Sequence, residues 1–167
     1  LAEKVIVDGK KLQTGFVGTP YLLHVLSSFG HTDLAYTLLL RTEYPSWLYP
    51  VTKGATTIWE HWDGIMENGD FWSTDMNSFN HYAYGAVADW VYEEAAGIHP
   101  AEPGFAKICI APKPDERLEW LEASIETRHG LVRSAWSHIV ENGCKKVRYE
   151  IITPSPAVII IDGKEKE

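Results

Sequence analysis

The chain has little sulfur, no long apolar run and no cluster of basic residues. It contains 167 residues with two cysteines and two methionines. Its longest uninterrupted apolar run, Ala157–Ile161, has 5 residues, whereas a membrane-spanning helix needs about 20. The sequence therefore predicts no such helix. Cys109 and Cys144 lack the spacing of metal ligands, so two unpaired thiols are the simplest interpretation and one disulfide is the alternative.

An excess of negative charge excludes further classes of partner. Lysine and arginine total 15 against 23 aspartates and glutamates, which gives a formal net charge of −8. Phosphate backbones and anionic membrane surfaces repel such a chain, so we expect no nucleic acid and no membrane partner. The sequence has neither a phosphate loop nor a dinucleotide fingerprint, and its acidic residues between positions 63 and 75 lack the spacing of a calcium-binding EF-hand. We therefore expect no cofactor and no metal.

Aromatic residues are abundant: the chain has 7 Trp, 8 Tyr and 5 Phe. Large rings suit protein cores, interfaces and sugar-binding clefts alike. Composition alone does not choose among these uses.

The first part of the chain has a helical pattern. Apolar residues recur at helical spacing over residues 21–29, and Gly30 ends that pattern. Further helices are predicted over residues 34–43, 56–62 and 78–96, with loops over residues 45–54 and 64–78. The chain begins with Leu1 rather than Met, so we expect a fragment or a processed product.

The second part has a strand pattern. Strands are predicted over residues 105–111, 118–127, 131–140, 145–153 and 157–161, and a solvated tail over residues 164–167. Asn142-Gly143 is a strong signal for a tight hairpin turn. The chain is thus predicted to be an α+β protein in two parts, a helical domain (residues 1–97) and a small antiparallel β-sandwich (residues 98–167).

The helical part has only about five helices, so we expect it to belong to a larger helical array. Its helices would then lack neighbours, and apolar side chains on their faces would be exposed. The side chains expected to be uncovered are Leu22, Leu26, Phe29, Tyr82, Trp90 and Val91.

Residues 54–63 (GATTIWEHWD) are the first candidate for chemistry. Glu60 lies between Trp59 and Trp62, and a carboxylate beside indole rings is partly desolvated, which makes it a stronger proton acceptor. The rings can also form walls for the apolar face of a sugar. The alternative is a capped helix whose Trp side chains belong to the core.

His81 is the second candidate. On the predicted helix it shares a face with Ser78, Gly85 and Ala88, and these small side chains leave room for a ligand. The alternative is a hydrogen-bonded structural histidine.

Four segments in this order resemble the C-terminal part of bacterial α-L-rhamnosidases, glycoside hydrolase family 78. They are residues 15–23 (GFVGTPYLL), 56–63 (TTIWEHWD), 78–85 (SFNHYAYG) and 110–114 (IAPKP). The resemblance implies the helical portion of an (α/α)₆ barrel followed by an antiparallel β-sandwich. It also implies hydrolysis of terminal α-L-rhamnosides with inversion at the anomeric carbon.

The resemblance assigns roles to individual residues. Glu60 matches the general base, His81 matches a residue that contacts rhamnose, and Trp59 and Trp62 flank the base and shape the pocket. The general acid of the family lies in an Asp-rich motif upstream in the barrel, which these 167 residues lack. We therefore expect the chain alone to be inactive.

Two other functions stay open at this point. A non-catalytic carbohydrate-binding module would use Trp47, Trp59, Trp62 and Trp72 as a platform. An interaction protein derived from the enzyme would pair its helical faces with another chain. The expected partners are L-rhamnose-containing glycosides, together with either a second copy of the chain or the missing N-terminal portion of the same enzyme.

Overall fold

The computed structural model describes residues 1–154 and 156–166. The chain forms two compact units, Leu1–Ala88 and Asp89–Glu167. Across the described residues, none of the helices has the length and apolar character needed to cross a membrane.

The helices are short, and most of them lie in the first unit. They are α1 (Ala2–Val7), α2 (Thr19–Ser28), α3 (Thr32–Leu39), α4 (Leu48–Thr52), a 3₁₀ turn (Ala83–Ala86), α5 (Val87–Trp90) and a π-helical turn (Val91–Ala95). Helix α2 has Pro20 in its first turn, where the missing N–H is not needed. It buries Leu23 and Leu26, and α3 buries Leu38. The sequence predicts a helix in each of these regions, and the structure packs the two helices against each other.

Three predictions about helices in this unit are wrong. Residues 56–62 are not helical, the helix expected from residue 78 begins only with the 3₁₀ turn at Ala83, and α4 lies within an expected loop. The β-branched run of residues 56–58 disfavours a helix. The Glu60 and His81 N–H groups instead donate to backbone carbonyls of distant residues. In the expected loop, Ser46 Oγ accepts from the Tyr49 N–H and supports the start of α4.

The expectation of uncovered helical faces is only partly correct. Leu22, Leu26 and Trp90 are buried, whereas Phe29 and Tyr82 are largely exposed. Val91 is half-buried. The chain therefore covers more of its own apolar surface than the sequence predicts.

The second unit contains two β-sheets. The strands are β1 (Ile98–Pro100), β2 (Ile108–Ile110), β3 (Trp120–Thr127), β4 (Gly130–Glu141), β5 (Cys144–Ile152), β6 (Ala157–Ile161) and β7 (Lys164–Lys166). One sheet has the order β1-β2-β6-β7 and the other β3-β4-β5. All neighbours are antiparallel except β2 and β6, which are parallel. The two-part α+β architecture is confirmed.

Both sheets contribute to one hydrophobic core. Its buried side chains are Ala96, Ile98, Ile108, Ile110, Ala123 and Val132. Two buried side chains of β4 also fasten the preceding helical turn, because Trp136 Nε1–H donates to the Ala95 carbonyl (2.9 Å) and Ser134 Oγ–H to the Ala96 carbonyl (2.6 Å). Carbonyls at a helix end lack partners within the helix, so these bonds satisfy them.

The hairpin prediction is confirmed, and the tail predicted to be solvated is exposed but also forms a strand. Asn142 and Gly143 both have positive φ, 53° and 76°, as a tight turn of this hand requires. The expected tail contains β7, which pairs with β6 over Ile159–Ile161. Backbone pairing does not require apolar side chains, so the exposed, charged β7 gave no strand pattern.

Gly97 follows the helical turn and comes very close to the backbone of another segment. Its φ is +75°, and a Cβ there would lie 2.2 Å from the Ala111 carbonyl carbon and the Pro112 nitrogen. Gly143 has nearly the same φ, +76°, with open space around it. The two glycines separate the cost of backbone conformation from the cost of a steric clash.

We expect Gly97→Ala to destabilise the second unit far more than Gly143→Ala does. The Gly143 variant should lose about 1–2 kcal/mol, the cost of left-handed backbone for a residue with a Cβ. The Gly97 variant should lose at least about 2 kcal/mol more, because backbone atoms must move. Urea denaturation of both variants measures the free energy of unfolding. Equal losses would contradict the close approach at Gly97.

Candidate active site

Two segments that are distant in sequence run side by side in opposite directions. The Glu60 N–H donates to the Ser78 carbonyl (2.9 Å), and the His81 N–H donates to the Ile58 carbonyl (2.8 Å). The Thr57 hydroxyl donates to the Phe79 carbonyl. These bonds place Glu60 and His81 on adjacent segments, although neither segment is helical.

Residues 61–77 form the loop between the two segments, and hydrogen bonds to Gly64 fold this loop back on itself. The Gly64 carbonyl accepts from the side-chain amide of Asn77 (2.7 Å) and from the Trp72 N–H (3.1 Å). An isolated bridge joins Ile65 and Phe71. The loop therefore returns to its starting point, and this brings residue 78 beside residue 60.

Aromatic rings from the two segments pack against each other and hold the segments together. Trp59 packs edge-on against Phe79, with ring centroids 4.9 Å apart. Trp62 stacks on Tyr84 at 3.7 Å and meets Trp47 edge-on at 5.4 Å. Trp47 Nε1–H donates to the Tyr84 carbonyl (2.9 Å). Trp59 and Trp62 are only 5% and 9% exposed, so they act in this chain as supports for the segment that carries Glu60.

The His81 ring is nearly parallel to two neighbouring rings. Phe16 stacks on it at 4.8 Å with an interplanar angle of 11°, and Tyr82 lies at 5.5 Å. The Ala83 N–H donates to Nδ1 of His81 over 3.4 Å. In the neutral ring the proton then lies on Nε2, which makes Nε2 the donor available to a ligand.

The Glu60 side chain is half-buried. Among the described residues, no cation or hydrogen-bond donor contacts its carboxylate, so both oxygens are available as acceptors. The adjacent His61 stacks on Trp72, with centroids 3.5 Å apart. A carboxylate with no ion-pair partner, fixed by its own backbone, can accept a proton from a bound molecule.

An open cavity of about 530 Å³ lies in the same unit and is lined by Tyr44, Tyr49, Asp63 and Glu67 among others. Burial, and then the negative charges of Glu67 and Asp63, raise the pKa of Tyr49. Its hydroxyl donates to the Ile65 carbonyl (3.1 Å). The cavity therefore combines acceptor oxygens with an un-ionised phenol.

The structure adds residues to the candidate site that the sequence did not single out. Phe16, Phe79 and Tyr84 contact His81, Trp59 and Trp62 respectively. Each belongs to one of the segments that carry the family resemblance, so membership in those segments was the available signal. The platform proposed for a binding module does not form, because Trp47, Trp59 and Trp62 are buried and only Trp72 is exposed.

The chain matches two family models over almost its whole length. Residues 1–95 match the bacterial alpha-L-rhamnosidase 6 hairpin glycosidase domain, and residues 97–165 match the bacterial alpha-L-rhamnosidase C-terminal domain. The chain belongs to the bacterial α-L-rhamnosidase family.

Individual α-L-rhamnosidases are similar in sequence. One from Streptomyces avermitilis is 49% identical over 125 residues, which cover 75% of this chain and 12% of that enzyme. One from Formosa agariphila is 46% identical over 136 residues, which cover 81% of this chain and 15% of the enzyme. The chain therefore spans less than a fifth of the length of these relatives.

Solved rhamnosidases are similar in fold. The Streptomyces avermitilis enzyme in complex with L-rhamnose superposes with a TM-score of 0.85 and 40% identity, covering 96% of this chain and 15% of that one. The Aspergillus terreus enzyme gives 0.89 and 35%, covering 98% and 19%. The two-part fold is thus that of the corresponding part of these enzymes.

We expect Gly64→Ala to disturb the aromatic brace behind Glu60. A Cβ at Gly64 would lie 3.0 Å from Trp59 and 3.1 Å from Phe79, whereas one at Gly85 would meet only Ile58, at 3.6 Å. Overpacking of this kind costs about 1–3 kcal/mol. Chemical denaturation should show that loss for Gly64→Ala and little change for Gly85→Ala. A Gly64→Ala variant with an unchanged free energy of unfolding would mean that the rings of Trp59 and Phe79 move aside at little cost.

Proposed function

We propose that the chain carries the general-base half of an inverting α-L-rhamnosidase active site, with Glu60 as the base. The observation that supports this most directly is the pairing of residues 58–60 with residues 78–81, which places Glu60, with its unpaired carboxylate, and His81 on adjacent segments. The L-rhamnose complex of the similar Streptomyces avermitilis enzyme supports the choice of sugar.

In this proposal Glu60 removes a proton from a water molecule. The water oxygen attacks the anomeric carbon from the face opposite the leaving group, and the C–O bond to the aglycone breaks. A second carboxyl group protonates the departing oxygen, and in inverting enzymes the two carboxyl groups lie about 6.5–9.5 Å apart. Following the family resemblance, that acid comes from the upstream part of the barrel, so the 167-residue chain alone would be inactive.

His81 has a binding role in the same proposal. Its Nε2–H would donate to a hydroxyl of rhamnose, while Nδ1 stays occupied by the Ala83 N–H. Stacking on Phe16 fixes the plane of the ring. Trp59 and Trp62 would shape the pocket from behind, through the segments they support.

The boundary between the helical and β domains, at residues 97 and 98, stays a prediction. The matched family models end and begin at residues 95 and 97, which supports it. The compact units divide earlier, between Ala88 and Asp89. The last helical turn is fastened to β4 by Trp136 and Ser134, which is why it groups with the sheets.

We further propose that another polypeptide covers α2. Tyr21, Val25 and Phe29 are exposed at positions i, i+4 and i+8, so they form one stripe along the helix. Either the missing N-terminal portion of the enzyme or a second copy of this chain would cover it. The short span of the chain relative to similar enzymes supports the first.

Glu60→Gln tests the role of the base. In an enzyme that contains this chain and the upstream portion, kcat should fall by a factor of about 10²–10⁴, the contribution of positioned proton transfer. KM should change little, because the amide keeps the shape of the carboxylate. Steady-state kinetics on an aryl α-L-rhamnoside measure both. The control is Glu126→Gln, an exposed acid of β3 outside the candidate site, and a turnover of Glu60→Gln equal to that of this control would refute the assignment.

His81→Ala tests the role in binding. Loss of one neutral hydrogen bond costs about 0.5–1.5 kcal/mol, so kcat/KM should fall by about two- to twelvefold. His81→Gln retains an N–H donor near the position of Nε2 and should recover part of the loss. The control His31→Ala removes an exposed histidine and should be silent. If His81→Gln were as impaired as His81→Ala, the donor role would be wrong.

A further inference from the structure

The outward face of the β3-β4-β5 sheet differs from its inward face. Inward side chains such as Ala123, Val132 and Trp136 are buried. Because side chains alternate along a strand, the residues between them point outward. The pairing register aligns Trp120, Ser137 and Arg148 in one outward row, and Glu122, Ala135 and Glu150 in the next.

Trp120 is the most exposed tryptophan on this sheet. It is 65% exposed, whereas Trp136, the other tryptophan of the sheet, is 2% exposed and hydrogen-bonded to the Ala95 carbonyl. A single exposed apolar residue is ordinary. Trp120 is a candidate binding residue because charged and hydrogen-bonding side chains surround it.

A fixed network of charges lies beside Trp120. Arg133 donates to both oxygens of Glu122, from Nε and Nη2, at 2.8 Å each, and its Nη1 donates to Glu150 at 3.3 Å. The hydrogen bonds from Arg133 hold the pKa of Glu122 below its usual range. A forked arginine–carboxylate pair has a defined geometry, so these groups form a pre-organised polar wall.

Two side chains beside this polar wall, Arg148 and Ser137, are available to form hydrogen bonds with a ligand. Arg148 is exposed and has no hydrogen-bond partner among residues 1–154 and 156–166. The Ser137 hydroxyl lies between Arg148 and Trp120 in the row. The ring, a hydroxyl and a free guanidinium therefore face the same space.

These residues surround a shallow cavity of about 200 Å³, lined by Trp120, Glu122, Ala135, Ser137 and Arg148 among others. Ala135 lies at the centre of its row, and its small side chain leaves the depression open. Sites for drug-sized ligands measure about 300–1,000 Å³. This cavity is smaller and suits a single ring.

The charged side chains around the cavity indicate which class of ligand it can bind. Two arginines and two glutamates sum to zero, and the Arg133 guanidinium is already occupied by two carboxylates. A phosphate or another anion would therefore meet one free cation and two acids. A neutral ligand with an apolar face for the indole and hydroxyl groups at its edge fits the arrangement, and a pyranose ring has both.

We propose that this face of the β3-β4-β5 sheet binds a pyranose unit of a neutral glycoside, with Trp120 stacked on the sugar and Arg148 and Ser137 hydrogen-bonded to its hydroxyls. The site lies in a different unit of the chain from Glu60. It would hold a glycan without hydrolysing it, and it does not depend on the role proposed for Glu60.

The test follows two signals in ¹H–¹⁵N NMR spectra of the 167-residue chain. They are the indole N–H of Trp120, assigned from its loss in Trp120→Phe, and the backbone N–H of Ala135, a cavity residue that every variant retains. The probes are methyl α-L-rhamnopyranoside and methyl β-D-glucopyranoside. At least one of these sugars should shift both signals saturably, with a Kd of about 1–10 mM. Measured at the Ala135 N–H, Trp120→Ala should weaken that binding by about tenfold or more, and Arg148→Ala should weaken it severalfold.

Three controls make the test specific. Tyr21→Ala removes an exposed ring elsewhere and should leave the Kd unchanged. Glu60→Gln should leave it unchanged too, which separates this site from the proposed catalytic one. Thermal midpoints should match across the variants, because none of the substituted side chains is buried.

Three results would overturn the proposal. The first is no shift of the Trp120 signal by either sugar at about 50 mM, well above the expected Kd. The second is a Kd that Trp120→Ala leaves unchanged. The third is a Trp120 ring that is protected in the longer enzyme, because the face would then be an interface with another part of that protein.

Discussion

The backbone hydrogen bonds between residues 58–60 and 78–81 are the constraint on which the candidate site depends. Neither segment is helical or part of a sheet, so no regular element fixes Glu60 or His81 in place. Ordering a segment of irregular chain costs about 1–2 kcal/mol of conformational entropy per residue. The buried rings of Trp59, Trp62 and Tyr84 offset that cost. Aromatic packing and backbone pairing together turn two loops into a rigid site.

Much of the fold could be predicted from the sequence, because its strongest signals are local. The apolar periodicity of α2 and the Asn142-Gly143 turn each depend on a few neighbouring residues, and both predictions are confirmed. The segments around Glu60 and His81 were predicted as helices and are not helical. Their apolar spacing resembled that of a helix, but their rings pack against residues far away in sequence. Tertiary contacts of this kind leave no periodic pattern.

The two units bring distant residues together in different ways. In the first unit, side chains of Phe16, Trp62 and Tyr84 come from separate segments to brace one site. In the second unit, strand register decides which residues face outward, so Trp120 and Arg148 are brought into one row by backbone pairing. The first arrangement depends on contacts between rings that lie far apart in the sequence. The second depends on the sheet alone, and the sequence pattern of single strands could not reveal it.

Azide rescue of a Glu60→Ala variant tests the central claim most directly, in an enzyme that contains this chain and the upstream portion. Azide is already a nucleophile and needs no general base, and the truncated side chain leaves room for it on the face that water would use. The account predicts that azide restores turnover of an aryl α-L-rhamnoside and yields the β-L-rhamnosyl azide, of inverted configuration. No rescue, or a product of retained configuration, would contradict the assignment of Glu60 as the base of an inverting site.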